Sequence, residues 1–79
     1  MIPRVGEKYV VDNHALEIME VTDTIFEARV NESDYHIRGP LENFEGFYHQ
    51  GNGQIATDES WQKCLDEVQA RKAQKEELH

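Results

Sequence analysis

The sequence predicts an α+β fold, in which a small antiparallel barrel or a curled β-meander of four to five strands is followed by a C-terminal α-helix. Three observations support this prediction. Short segments in the first half of the chain alternate apolar and polar residues, at the period of a β-strand. Turn-forming residues separate these segments. After residue 58, apolar residues recur at intervals of three and four, which is the period of a helix.

Four strands are predicted in order along the first forty residues. The first covers residues 8–12 and ends in a tight turn, and the second covers residues 15–21. The third, residues 25–31, has the clearest alternation of apolar and polar side chains. The fourth, residues 35–38, is expected to stop at Gly39 and Pro40. Their close spacing favours consecutive antiparallel pairing.

The segment 41–48 leaves two alternatives open. Its apolar residues fit one face of a short helix with Pro40 at the first turn, although Gly46 weakens that helix. Alternatively, residues 47–50 pair with residues 54–57 in a hairpin. We favour the short helical turn, followed by a fifth strand at residues 54–56.

A long helix is predicted from about residue 59 to residue 77, with Thr57 or Asp58 as its N-cap. Residues 69–77 are polar on all sides, so the tail, residues 69–79, is expected either to fray or to pair with a second copy or a partner. Strands and helix together form a single domain, 1–79, with a strand-rich core over about 6–57 and the helix over about 58–78. The apolar stripe of the helix consists of Trp61, Cys64, Leu65 and Val68.

Charge and cysteine content restrict the possible functions of these 79 residues. Sixteen acidic and eight basic side chains give a net charge of −8, which has the wrong sign for binding a phosphate backbone. The single cysteine excludes an internal disulfide and favours a reducing, cytoplasmic setting. No apolar run is long enough for a signal peptide or a membrane span. We therefore expect a cytoplasmic protein that binds neither nucleic acid nor membrane.

The residue types that carry chemistry are scattered in the sequence. Ser33 and Ser60 are the only serines, and neither lies in the context of a catalytic nucleophile. Cys64 has no partner cysteine, and its place on the apolar helix stripe predicts a buried side chain. The four histidines are far apart in the sequence, and no two of the histidines and Cys64 lie at the i, i+3 or i, i+4 spacing of metal ligands on a helix: His14, His36, His49 and His79. We expect no enzymatic activity, no cofactor and no metal.

Residues 39–62 form what we call the acidic aromatic window, which contains no lysine or arginine. Acidic residues interleaved with aromatic ones can attract a basic partner and anchor on its surface. Alternatively, a domain of this size uses its aromatic rings for its own core, and Phe44 and Trp61 are then buried. The predicted partner-binding residues are Glu42, Phe44, Glu45, Phe47, Tyr48, His49, Asp58 and Glu59.

The first fifty residues carry spacings that resemble a known group of proteins. These are Gly6-x-x-Tyr9, Ile18-x-x-Val21, Phe26-x-x-Arg29 and Phe44-x-x-x-Tyr48. The pattern is similar to that of short proteins of unknown function encoded by phages and prophages, which form SH3-like small barrels. The resemblance implies an SH3-like fold and an accessory protein of a mobile element, with no catalytic residues. The acidic charge and the C-terminal helix set this chain apart from typical members.

Two hypotheses for function follow. In the first, the chain is a small acidic protein-binding module that blocks a basic, nucleic-acid-handling host protein, its carboxylates imitating phosphates. In the second, it is a structural or assembly protein that forms a homodimer or larger homo-oligomer through its C-terminal helix.

Overall fold

The computed structural model describes residues 2–77 and shows a five-stranded antiparallel sheet with a helix against each face. The strand order is β4-β3-β2-β1-β5, so β4 and β5 are the two edges. Because the edges do not pair, the sheet is open, and of the two predicted forms it is the meander and not the barrel. The elements in chain order are β1 (Lys8–Val11), β2 (His14–Val21), β3 (Ile25–Val30), β4 (His36–Pro40), α1 (Phe44–Gln50), β5 (Gln54–Ile55) and α2 (Asp58–Glu77).

The predicted end of the fourth strand is wrong, because β4 continues through Gly39 and Pro40. The backbone N–H of Val30 donates to the carbonyl of Tyr35 over 2.9 Å. Hydrogen-bonded pairs alternate along an antiparallel ladder, so the odd-numbered residues of β4 bond to β3 and the even-numbered ones point outward. The N–H that proline lacks is therefore one that β3 does not need, and the strand tolerates it.

The short-helix alternative for segment 41–48 is confirmed, and the hairpin does not form. A 3-10 turn, Leu41–Asn43, leads from β4 into α1. The predicted fifth strand is present as β5, one residue shorter than expected, and pairs with β1. The chain thus crosses one face of the sheet between its two edges.

The larger core lies between the sheet and α1, on what we call the α1 face. Phe44 has no exposed surface, and its ring centroid lies 5.0 Å from that of Phe26 and 5.7 Å from that of Tyr9. Edge-to-face aromatic pairs of this kind each contribute about 0.5–1.5 kcal/mol beyond area burial. The buried members of this core are Tyr9, Val11, Leu16, Ile18, Phe26, Ala28, Val30 and Phe44.

A smaller core lies between the sheet and α2, on the opposite or α2 face. Trp61 and Cys64 are buried there against Ala15. The Trp61 Nε1–H donates to Glu32 Oε1 over 2.7 Å, and Lys8 Nζ lies 5.0 Å from the ring centroid. The indole is thus buried with its polar atom satisfied, which fixes where α2 crosses the sheet.

The start of α2 confirms one of the two predicted caps. Thr57 Oγ1 accepts the backbone N–H of Ser60 over 3.1 Å, and Ser60 Oγ accepts the backbone N–H of Thr57 over 2.8 Å. This reciprocal arrangement satisfies two donors at the helix start. The helix then continues to Glu77, with exposed side chains at residues 69–73. Fraying of the tail stays a prediction, and its last two residues lie outside the described range. No helix within residues 2–77 has the length and apolar character needed to cross a membrane.

Two glycines allow a test of how α1 packs. A Cβ atom at Gly53 would overlap three ring carbons of Tyr48, whereas one at Gly46 would meet nothing within 4 Å. We expect Gly53→Ala to lower the free energy of unfolding by about 1–3 kcal/mol through overpacking. The control Gly46→Ala, inside α1, should raise it by about 0.5–1 kcal/mol. Urea unfolding measures both, and an unchanged stability for Gly53→Ala would contradict the position of the Tyr48 ring.

Candidate partner-binding surface

The predicted partner-binding residues do not form one surface. Glu42 and Glu45 lie beside or within α1 on one face of the sheet, and Asp58 and Glu59 lie in the first turn of α2 on the other. The sheet separates the two carboxylate pairs. A partner of ordinary size that binds flat against one helix therefore reaches only one pair.

The aromatic residues of α1 also divide. Phe44 is fully buried and belongs to the core, so its side chain is not part of an exposed surface. Tyr48 is half-buried, with its ring 5.7 Å from Tyr9. Phe47 keeps 36% of its surface exposed. His49 is exposed and its Nε2 lies 3.7 Å from Glu45 Oε1. Of the predicted rings in α1, Phe47 and His49 are the most accessible to a partner.

An acidic pocket of about 510 Å³ lies where β4 passes into α1. Its charged rim consists of Asp23, Glu42 and Glu45, and Ile2 and Leu41 are among its apolar lining residues. No lysine or arginine is found among the described residues that line it. A rim of carboxylates over apolar side chains suits the ammonium or guanidinium head and the hydrocarbon stem of a lysine or arginine.

An apolar groove of about 440 Å³ lies beside α1, at the end of the sheet that carries the β1–β2 and β3–β4 turns. Leu16, Val30 and Ile37 contribute its apolar lining. Two aromatic side chains line it as well, Phe47 from α1 and Tyr35, which precedes β4 and is 66% exposed. A groove of this size with exposed rings is typical of a binding site.

The sequence pattern does not reveal this groove, although Tyr35 and Ile37, two residues apart in the predicted fourth strand, share one side of it. Both residues fit the period of a core-facing strand, and periodicity alone does not show that the covering helix is too short. α1 has only seven residues. The signal available in the sequence was the helix-weakening Gly46 and the short distance from Pro40 to Gly51.

The α2 face beside β4 is polar. Glu27 forms ion pairs with Arg38 Nε over 2.9 Å and with His36 Nδ1 over 3.2 Å, and Arg29 pairs with Glu17 over 3.4 Å. These partly exposed pairs contribute little stability individually. They give β4 one charged and one apolar side.

Cys64 does not have the environment of a reactive thiol. Its side chain is buried, and its Sγ donates to the carbonyl oxygen of Asn13 over 3.4 Å. Burial raises the pKa of this thiol, with a smaller contribution from the Glu67 carboxylate. Within residues 2–77, no group of histidine, cysteine, aspartate and glutamate side chains could hold a metal ion.

The Cys64 environment predicts slow chemical modification. Because its pKa is raised in the folded state, the thiol keeps its proton at a pH where the unfolded chain, with a pKa of about 8.5, is already losing it. We expect labelling with a disulfide reagent at pH 8 to be at least about a hundredfold slower than in denaturant. Raising the pH should speed labelling, but the folded chain should still react more slowly than the chain in denaturant. Equal rates in the two states would contradict the burial of Cys64.

Comparison with known proteins gives no matching family model, no matching curated protein and no matching solved structure.

Proposed function

We propose that this chain is a small non-enzymatic protein-binding module whose partner carries a basic surface. The observation that carries the proposal is the position of α1, which separates the acidic pocket from the apolar groove and exposes Phe47 to the groove. Carboxylates steer a basic partner toward this side of the sheet, and the apolar groove supplies the desolvated contact that holds it.

In a more specific form, the partner is a nucleic-acid-handling host protein and the chain is an accessory protein of a phage or another mobile element. The net charge of −8 supports this form, since it favours basic surfaces that otherwise meet phosphates. The SH3-like barrel that the resemblance implied is not formed, because the two edges of the sheet do not pair. The single cysteine, Cys64, is buried, and the lack of any cysteine pair in the sequence fits a cytoplasmic site of action.

The alternative, assembly of copies through α2, has one supporting observation. The helix continues after the buried Val68, with exposed side chains at 69–73. That stretch offers a second copy no apolar stripe, which is what helix pairing requires. Protein binding on the α1 side is therefore the better-supported function.

Matched charge variants test which side of the sheet binds. We expect Glu42→Gln with Glu45→Gln to weaken partner binding about tenfold, which corresponds to about 1.4 kcal/mol for two rim charges. Asp58→Asn with Glu59→Gln removes the same charge from the other face and should leave the affinity within about twofold. Phe47→Ala should weaken binding without changing the salt dependence.

The measurement is a tagged pull-down from nuclease-treated bacterial lysate, followed by titration of the recovered partner at low and high salt. A partner retained at about 50 mM salt and released at about 500 mM supports the proposal, because screening weakens charge attraction at those concentrations. If Asp58→Asn with Glu59→Gln weakened partner binding more than Glu42→Gln with Glu45→Gln, the binding surface would lie on the α2 face. Recovery of the bait alone, with a mass that rises with concentration, would favour the assembly alternative.

A further inference from the structure

β4 presents backbone groups that the sheet leaves unpaired. It is the edge strand beside β3, and its odd-numbered residues are the ones bonded to β3. The N–H and C=O groups of His36 and Arg38 therefore point away from the sheet. Pro40 ends this row, because it has no N–H to offer. The edge can accept one short extended segment.

The side chains of β4 make this edge different on its two sides. Tyr35 and Ile37 point to the α1 face and line the apolar groove. His36 and Arg38 point to the α2 face, where Glu27 pairs with both. An added strand would place alternate side chains beside the groove and the others beside the ion pairs, because directly opposite residues share a face.

The ends of β4 also differ. Pro40 and the following Leu41 line the acidic pocket, so one end of the edge lies at a rim of three carboxylates. At the other end, the groove is lined by Lys72 and His14 but also by Asp12, so charges of both signs lie there. This difference gives an incoming segment a preferred order: a basic residue near Leu41 and neutral residues near Tyr35.

We propose that the partner contributes an extended segment that adds to β4 as a sixth, antiparallel strand. Every pair in this sheet is antiparallel, so the segment begins near Leu41 and ends near Tyr35. Its first residue, opposite Leu41, is lysine or arginine above the acidic pocket. Its apolar residues lie opposite Ile37 and Tyr35, about four and six positions later, with their side chains in the groove.

This inference rests on the proposed protein-binding function and gives it a recognition motif, a basic residue followed by apolar residues four and six positions on. The main chain of β4 supplies hydrogen bonds that do not depend on the partner's sequence, and the groove and the acidic pocket select the side chains. One continuous segment of the partner therefore carries both the basic residue that enters the acidic pocket and the apolar residues that enter the groove.

Synthetic peptides test the motif. The probe is acetyl-Lys-Thr-Ser-Thr-Val-Thr-Val-amide, titrated to millimolar concentration against the ¹⁵N-labelled full chain. We expect saturable shifts of the His36 and Arg38 amides and at least about fivefold weaker binding when glutamate replaces the lysine. Acetyl-Lys-Thr-Ser-Val-Thr-Val-Thr-amide is the control, since no register places both its valines and its lysine on the α1 face. Equal binding of probe and control would overturn the proposal.

Two further changes isolate the backbone contribution. Arg38→Pro removes an outward N–H, and Arg38→Ala removes the same side chain but keeps that N–H. We expect the proline variant to lose peptide binding and the alanine variant to keep it within about threefold. N-methylation of the probe at the residue opposite Arg38 should also abolish binding to the unmodified chain, which removes any dependence on how the proline variant folds. Binding that survives N-methylation would exclude strand addition.

The two proposals fail in different ways. A partner that is captured from lysate and lost with Glu42→Gln and Glu45→Gln, while the probe peptide shifts no β4 amide, would leave the function standing and remove strand addition. A probe that binds β4 while the lysate yields no partner would preserve strand addition and count against the basic host partner.

Discussion

The rest of the structure depends on the insertion of Phe44 under the sheet. Its ring lies between those of Tyr9 and Phe26, which come from the first and third strands, so one side chain from the helical turn joins two strands that are not neighbours. That contact holds α1 across the α1 face and brings the chain from one edge of the sheet to the other. Both the acidic pocket and the apolar groove are the spaces that this short helix leaves on either side of itself.

The strands, the helical turn and the capped C-terminal helix could be predicted because local patterns determine them. Alternation in β3 and the threonine before α2 are signals that involve a few neighbouring residues. The open sheet could not be predicted, since closure depends on whether two distant edges meet. The role of Pro40 was equally hidden, because it depends on which of two alternating backbone groups β3 uses, and no side-chain pattern reports that choice.

Nearness along the chain also suggested a single binding surface where the fold makes two. The acidic aromatic window contains α1, β5 and the start of α2, and β5 is the edge over which the chain passes from one face to the other. Glu45 and Glu59 are therefore close in sequence but belong to opposite layers. Composition identified the acidic and aromatic residues of the window, but only the topology of the sheet shows which of them lie on the same face.

The short β4 edge limits the aggregation of this chain with copies of itself. Exposed strands invite identical chains to stack on one another, and the stacks can grow into insoluble fibres. Here the open row of backbone donors ends at a proline, and each copy carries a charge of −8 that opposes close approach of another. A cell can thus accumulate the protein with one edge of its sheet unpaired, and the same features that leave room for a foreign strand discourage templated growth.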